Sequence, residues 1–251
     1  TAATLVSIRH SIDTRDAFYD GEQKYFNEKV PELQEDMQKF TLSLLKNAHR
    51  DRFEAEFGTL YFKNAEIELK SFSPEIIPEL QKENDLTQAY EKLLASAQIP
   101  FEGKTYTLSQ LSPFKSCADD EKRLAAWKAE GAWYKEHQSE LDDIYDKLVH
   151  LRDAMGKKLG YEGYTTLGYY RMGRNCYTKE DVEKFRAAVV RYIVPLADGI
   201  YREQARRLGK EYPMNYADNG FPILIGLAEI ALQQPVEAAI GIRIKAYPAG
   251  I

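Results

Sequence analysis

"DDIYDKLVHLRDAMGKKLGYEGYTTLGYYRMGRNCY", residues 142–177, decides the architecture, because it contains the end of one long helix and the passage to the next. Ile144, Tyr145, Leu148, Leu151 and Met155 recur at steps of three and four, the period of one helix face, and Gly160 is placed to close that helix. The remainder, "LGYYRMGRNCY" at 167–177, puts three tyrosines, two arginines and two glycines into eleven positions. Gly168 and Gly173 permit backbone shapes closed to other residues, and Tyr169, Tyr170 and Tyr177 combine apolar area with a hydroxyl. Arg171 and Arg174 lie three apart, so they can reach the carbonyls of neighbouring helix ends or a bound carboxylate. Two readings follow. In one, the stretch is a rigid corner between a helix ending near Leu159 and one beginning near Thr178. In the other, Tyr169, Tyr170, Arg171 and Arg174 also meet substrate.

On the N-terminal side the same period continues. The helix that ends at Gly160 is expected to begin near Asp119 and to run through Trp127, Trp133 and Leu141, loosened at Gly131. From Phe18 to Leu45, the residues Phe18, Tyr25, Phe26, Val30, Leu33, Met37, Phe40 and Leu44 mark a face that is expected to be buried. Pro31 is expected to kink this run or start a fresh helix. Leu60 to Lys70 is a short amphipathic segment, and Ser73, Pro74 and Glu75 open a further helix. Between helices, "QIPFEGKTYTL" at 98–108 places aromatic and β-branched residues around Glu102-Gly103, the pattern of a lone β-hairpin. On the C-terminal side, Thr178 and Asp181 resemble a capping box, and the helix they open extends to Gly209.

The predicted fold is therefore mostly α, a long-helix bundle with one short hairpin. Three stretches are distinguished: a helical portion with the hairpin at 1–115, a long-helix portion at 116–218, and a charge-poor tail at 219–251. The tail after Asn219 carries four charged residues in 32 and seven isoleucines, with a short helix near 224–233 and a strand at 240–245 as its best assignments. The chain starts at Thr1 rather than at a methionine, and the tail departs in character from what precedes it. A segment upstream of Thr1 is expected to be missing.

Composition removes several classes of function. A formal charge of -5 over 251 residues gives no field that would draw nucleic acid or an anionic membrane surface. No apolar run approaches a membrane span, no secretory signal opens the chain, and Cys117 and Cys176 stand far apart without a CxxC, so a cytoplasmic protein with free thiols is expected. His10, His49, His137 and His150 have no second histidine or cysteine three or four positions on, so no helical metal-ligand pair exists. No GxSxG, GxxxxGK[ST] or GxGxxG occurs. The acids Glu140, Asp142, Asp143 and Asp146 fit a solvated helix face rather than a catalytic pair.

Read in order, "TLVSIRHSIDTRDAFYD", "LKSFSPEIIPELQKEN", "LLASAQIPFEGKTYTLSQLSPF", the 142–177 stretch and "DVEKFRAAVVRYIVPLADGIYREQARRLG" resemble the oligoendopeptidase F group of zinc metallopeptidases, in the thimet-oligopeptidase superfamily. The resemblance covers about residues 1–216, and because the tail after Asn219 does not resemble the family's continuation, a truncated, split or frame-shifted reading frame, or a poorly assigned C-terminal sequence, is the expectation. It implies the helical half of a two-lobed enzyme in which a channel admits short peptides, and a catalytic part with HExxH, whose two histidines hold zinc and whose glutamate serves as general base. No HExxH occurs in this sequence, so no catalytic or metal residue transfers, and no zinc is expected on this chain alone. The implied partners are short peptides and either a missing catalytic half or a second copy. A non-enzymatic helical remnant that binds a peptide or a partner is the alternative.

Overall fold

The computed structural model describes residues 1–219, so the expected tail elements at 224–233 and 240–245 lie outside the described residues. It forms two compact units: residues 1–110 with 129–178, and residues 111–128 with the segment from 179 onward.

In the first unit, α1 (Ala2–Ile12) is capped by Thr1 and α2 (Ala17–Leu45) by Asp16, whose carboxylate accepts from the amides of Phe18 at 2.9 Å and Tyr19 at 3.2 Å. Short helices α3 (Arg50–Phe57) and α4 (Leu60–Ser71) follow. Ser73 then caps as expected, but the turn it opens, Pro74–Ile76, is a 3-10 turn. The α-helix α5 (Ile77–Ala95) starts after it, with Pro78 in its first turn, where a missing amide costs nothing. Strands β1 (Ile99–Phe101) and β2 (Lys104–Tyr106) pair antiparallel, with Ile99 opposite Tyr106 and Phe101 opposite Lys104. Glu102 and Gly103 both have positive φ, 46° and 75°, as a two-residue hairpin turn requires.

The expected single helix from Asp119 to Gly160 is two, α7 (Asp120–Glu136) and α8 (Gln138–Lys158). The break falls at His137, whose ring lies 4.5 Å from that of Trp133, and Gly131 stays inside α7. Gly160 closes α8 as the sequence predicts: at φ +84° it lets Tyr161 N–H reach the carbonyl of Gly156 at 3.0 Å. A further helix, α9 (Tyr164–Arg171), stands inside the stretch read as a corner. The core of this unit joins Phe72, Ile76 and Leu80 to Met155 of α8 and Leu167 of α9. Ile76, Met155 and Leu167 are fully buried, each worth roughly 1.5–3 kcal/mol against exposure.

The α2 face read as buried is not. Leu33, Met37 and Phe40 are 58%, 61% and 66% exposed, and the buried residues of α2 are Asn27, Pro31 and Thr41. Hydrogen bonds explain the choice. Asn27 donates to Gln88 at 3.0 Å, and the carbonyls of Asn27 and Glu28 accept from Asn84 and Gln81 of α5, so the polar edge of α2 is turned inward. Pro31 neither ends nor restarts the helix.

In the second unit, α6 (Leu108–Lys115) contributes its C-terminal part and α7 its first half. α10 (Lys179–Ala188) passes through one π-helical turn, Val189–Ile193, into α11 (Val194–Leu208). Pro195 lacks the amide for a regular bond at this point, which accounts for the wider turn. Gly209, at φ 64°, closes α11, and α12 (Tyr216–Asn219) ends the described chain. Fully buried Arg123 donates to Asp120 at 2.6 Å, to the carbonyl of Cys117 at 2.9 Å and to Asp218. Among the described residues, no helix is long and apolar enough to cross a membrane.

Candidate functional site

The candidate site is the passage from α8 through α9 to Tyr177. Gly156 makes the passage tight: a Cβ there would lie 2.4 Å from the carbonyl oxygen of Gly163 and 2.5 Å from its carbon, so backbone crosses backbone. Leu167 anchors α9 from below, and Gly168 leaves room for the Tyr164 ring, whose nearest atom is 3.2 Å from a Cβ built on it.

The four predicted residues separate into two kinds. Arg171 is tied inward. Its guanidinium donates to both oxygens of Glu83 in α5, at 2.7 and 3.1 Å, and to the Tyr164 hydroxyl at 3.3 Å. Glu83 is 4% exposed and also accepts from Arg152 Nε of α8 at 2.6 Å. Burial pushes the Glu83 carboxyl up, yet the hydrogen bonds and charges of Arg171 and Arg152 outweigh it and hold the carboxyl below its ordinary range. One buried carboxylate thereby ties three helices. Tyr170 is also structural: its ring lies 5.8 Å from that of Tyr161 and 5.6 Å from the Lys70 ammonium, while Tyr161 donates to the carbonyl of Lys70 at 2.7 Å.

Arg174 and Tyr169 form the second kind. Gly173, at φ 64°, closes α9, and the amide of Arg174 bonds back to the Tyr169 carbonyl at 3.1 Å. The Arg174 guanidinium then lies 4.3 Å from the ring centroid of Tyr169 and 5.7 Å from that of Tyr177. Among the described residues no carboxylate pairs with it, so a half-buried cation rests on two aromatic rings with its side-chain donors unpaired by those residues.

Sequence reasoning missed Glu83, Arg152 and Gly156. Glu83 sits in a run of charged and polar residues that resembles any solvated helix face, and Gly156 resembles any mid-helix glycine. It also missed a polar cluster about His10. This histidine is 2% exposed, its Nε2 is 3.2 Å from Asp20 and 3.3 Å from the Gln88 amide, and Lys24 approaches Asp20 at 3.0 Å. An open cavity of about 550 Å³, lined by residues that include Lys24, Asn27, Gln81, Asp85, Gln88 and Lys92, adjoins the cluster. His137 lies at the α7–α8 break, and His150 sits on α8 with its Nδ1 2.9 Å from the Asp146 carbonyl. Among the described residues no three His, Cys, Asp or Glu side chains converge as a metal ion needs, so the residues present do not fit a zinc site.

Comparison with known proteins gives the fold its class. Residues 1–72 match the peptidase M3 N-terminal domain. Over 87% of this chain, Pz peptidase A, solved with an inhibitor, superposes with a TM-score of 0.83 at 41% identity. A structure described as an oligoendopeptidase F from Bacillus anthracis str. Ames gives the same figures, and another structure described as an oligoendopeptidase F gives 0.84 at 40% identity. The class is that of the M3 peptidases. More narrowly, the chain shares the N-terminal and middle helical part of the oligoendopeptidase F group, and it spans about 39–40% of the length of these relatives. The comparison with curated proteins found no match.

Proposed function

We propose that this chain is the helical, channel-forming part of a zinc oligopeptidase that hydrolyses short peptides, and that the HExxH segment must come from elsewhere, in the same polypeptide or from another chain. One observation carries the reading: 41% identity is maintained across 87% of the chain, against a relative of which it spans 39%. Zinc belongs to the segment bearing HExxH, where it would polarise the scissile carbonyl and activate water. The part assigned to this chain is to bind and orient the peptide.

Arg174 is the group best suited to that task. A guanidinium resting on the rings of Tyr169 and Tyr177, with no carboxylate partner among the described residues, presents a planar fork to a peptide carboxylate, whereas Arg171 is already occupied by Glu83. Tyr170 and Arg171 hold the platform on which Tyr169 and Arg174 stand. The partners on this reading are short peptides and either the missing half or a second copy, and the site of action is the cytoplasm. The test mixes the purified chain with the portion of the B. anthracis relative that it does not match, and follows a quenched fluorescent peptide. The reading expects chelator-sensitive hydrolysis from the mixture and none from this chain alone. Hydrolysis by this chain alone would overturn it. A second reading, a helical peptide-binding module with no enzymatic role, draws on the same Arg174 geometry and expects peptide binding without hydrolysis in either sample.

A further inference from the structure

The cavity between α2 and α5 carries opposite charge at its two ends. Its lining joins two lysines, two acids and three side-chain amides to Ala89, whose small side chain leaves the space open. The two helices run antiparallel here, since Asp20 meets Lys92 while the Glu28 carbonyl accepts from Gln81. At one end the single carboxylate of Asp20 faces two ammonium groups, Lys24 at 3.0 Å and Lys92, which leaves that end positive. At the other end Glu28 shares Lys29 with Glu32, at 3.0 and 3.2 Å, and Asp85 makes no ion pair among the described residues, which leaves that end negative. The walls are fixed to each other. Asn27 donates to Gln88 at 3.0 Å, Asn84 to the Asn27 carbonyl at 3.0 Å and Gln81 to the Glu28 carbonyl at 2.9 Å, so a ligand finds the groove already formed.

We propose that this groove binds a short peptide with both termini free, its carboxylate at Lys24 and Lys92 and its ammonium at Asp85. A ligand of one sign would meet like charge at one end, whereas a zwitterion meets opposite charge at both. The length fits as well. From Lys92 back to Asp85, α5 rises about 10 Å at ~1.5 Å per residue. An extended chain of three residues spans about 10 Å. The volume, about 550 Å³, lies within the ~300–1,000 Å³ of small-ligand sites. Between the ends, Gln81 has its Nε2 engaged by the Glu28 carbonyl, and its Oε1 is left to accept from a peptide amide. Lys24, Glu28 and Asp85 are exposed, so each ion pair contributes little and binding in the millimolar range is expected.

The groove shares no residue with the Arg174 platform and does not depend on the peptidase reading. The test therefore uses the full chain carrying Arg174→Ala, titrated with tri-alanine and followed by amide NMR shifts. Saturable binding is expected. Acetylating the amine of tri-alanine or amidating its carboxylate should each weaken binding about fivefold, the scale of one exposed ion pair. Asp85→Asn should weaken tri-alanine by about the same factor yet leave the acetylated peptide unchanged, because the lost partner is then already absent. Ala89→Leu fills the groove and should abolish binding with helical circular dichroism unchanged, and Asp85→Asn, at an exposed position, decides independently of it. Absence of saturable binding overturns the proposal. So does equal affinity for the free and blocked peptides, or an Asp85→Asn protein that binds tri-alanine as its parent does.

Discussion

Arg171 and Arg174 are three residues apart, and the structure puts them to different uses. Arg171 closes an ion cluster: Glu83 takes both of its arms and a third donor from Arg152, and the cluster ties α5, α8 and α9. Arg174, one residue past the glycine that ends α9, meets the rings of Tyr169 and Tyr177 and, among the described residues, no carboxylate. The difference is backbone geometry. A side chain inside α9 can be aimed at α5, whereas one beyond the αL position at Gly173 points where the turn leaves it. Identical side chains become a structural tie on one side of a helix end and, on the proposed function, a recognition group on the other.

The largest expected effect tests the platform beneath both arginines. Gly156→Val places side-chain atoms on the Gly163 backbone, which cannot yield as a flexible side chain can. Urea unfolding should show a loss of at least ~3 kcal/mol, or no cooperative transition. A stable Gly156→Val protein would remove the close crossing from the account.

Next comes the tie itself. Glu83→Gln leaves Arg152 and Arg171 facing each other without a carboxylate, and a loss of ~2–3 kcal/mol is expected, below the full cost of an orphaned buried charge because both arginines keep some solvent. Arg171→Ala should cost ~2 kcal/mol or more, and Arg174→Ala under ~1 kcal/mol, as for a cation lost from aromatic faces. Reversal of that order would break the comparison.

The pH dependence sharpens it. The folded Glu83 carboxyl lies below its ordinary value of 4.5, so its stabilisation is fully present above that value and is lost as pH falls through the lower, folded value. Asp20 shifts in the same direction, held low first by Lys92, then by Lys24 and His10, against the opposing effect of burial. Unfolding free energy should therefore fall on acidification below about pH 4.5, and Glu83→Gln should flatten part of that slope. An unchanged slope in the variant would show that Glu83 is not ionised in the cluster.

The smallest effect on stability accompanies the largest on binding. Arg174→Ala should weaken binding of a short peptide with a free C-terminal carboxylate about tenfold while barely moving the unfolding midpoint, and Arg174→Lys should recover only part of the affinity. Equal affinity across the three proteins would return Arg174 to a filling role.

Much of this fold was legible because its signals are local. Gly160 and Gly209 end helices and Glu102-Gly103 turns the hairpin, each as the residue types require. The failures were tertiary. Periodicity marks an apolar face on α2 without saying what covers it, and three hydrogen-bonding residues of α5 were enough to turn the polar edge inward. The Glu83 cluster joins positions 69 and 88 residues apart, a spacing that leaves no trace in any local pattern. Of the four proposed site residues, sequence could identify the stretch but not separate Arg171 from Arg174, because that separation is made by Gly173 and by Glu83 together.

The central claim is that this chain brings helical structure and peptide contacts to an oligopeptidase but not its metal. Measuring the zinc content of the purified protein after dialysis against zinc, together with its intact mass, tests that claim most directly. The account predicts no stoichiometric zinc on a chain of this mass. One tightly held zinc per chain, ligated by side chains of these 251 residues, would contradict it.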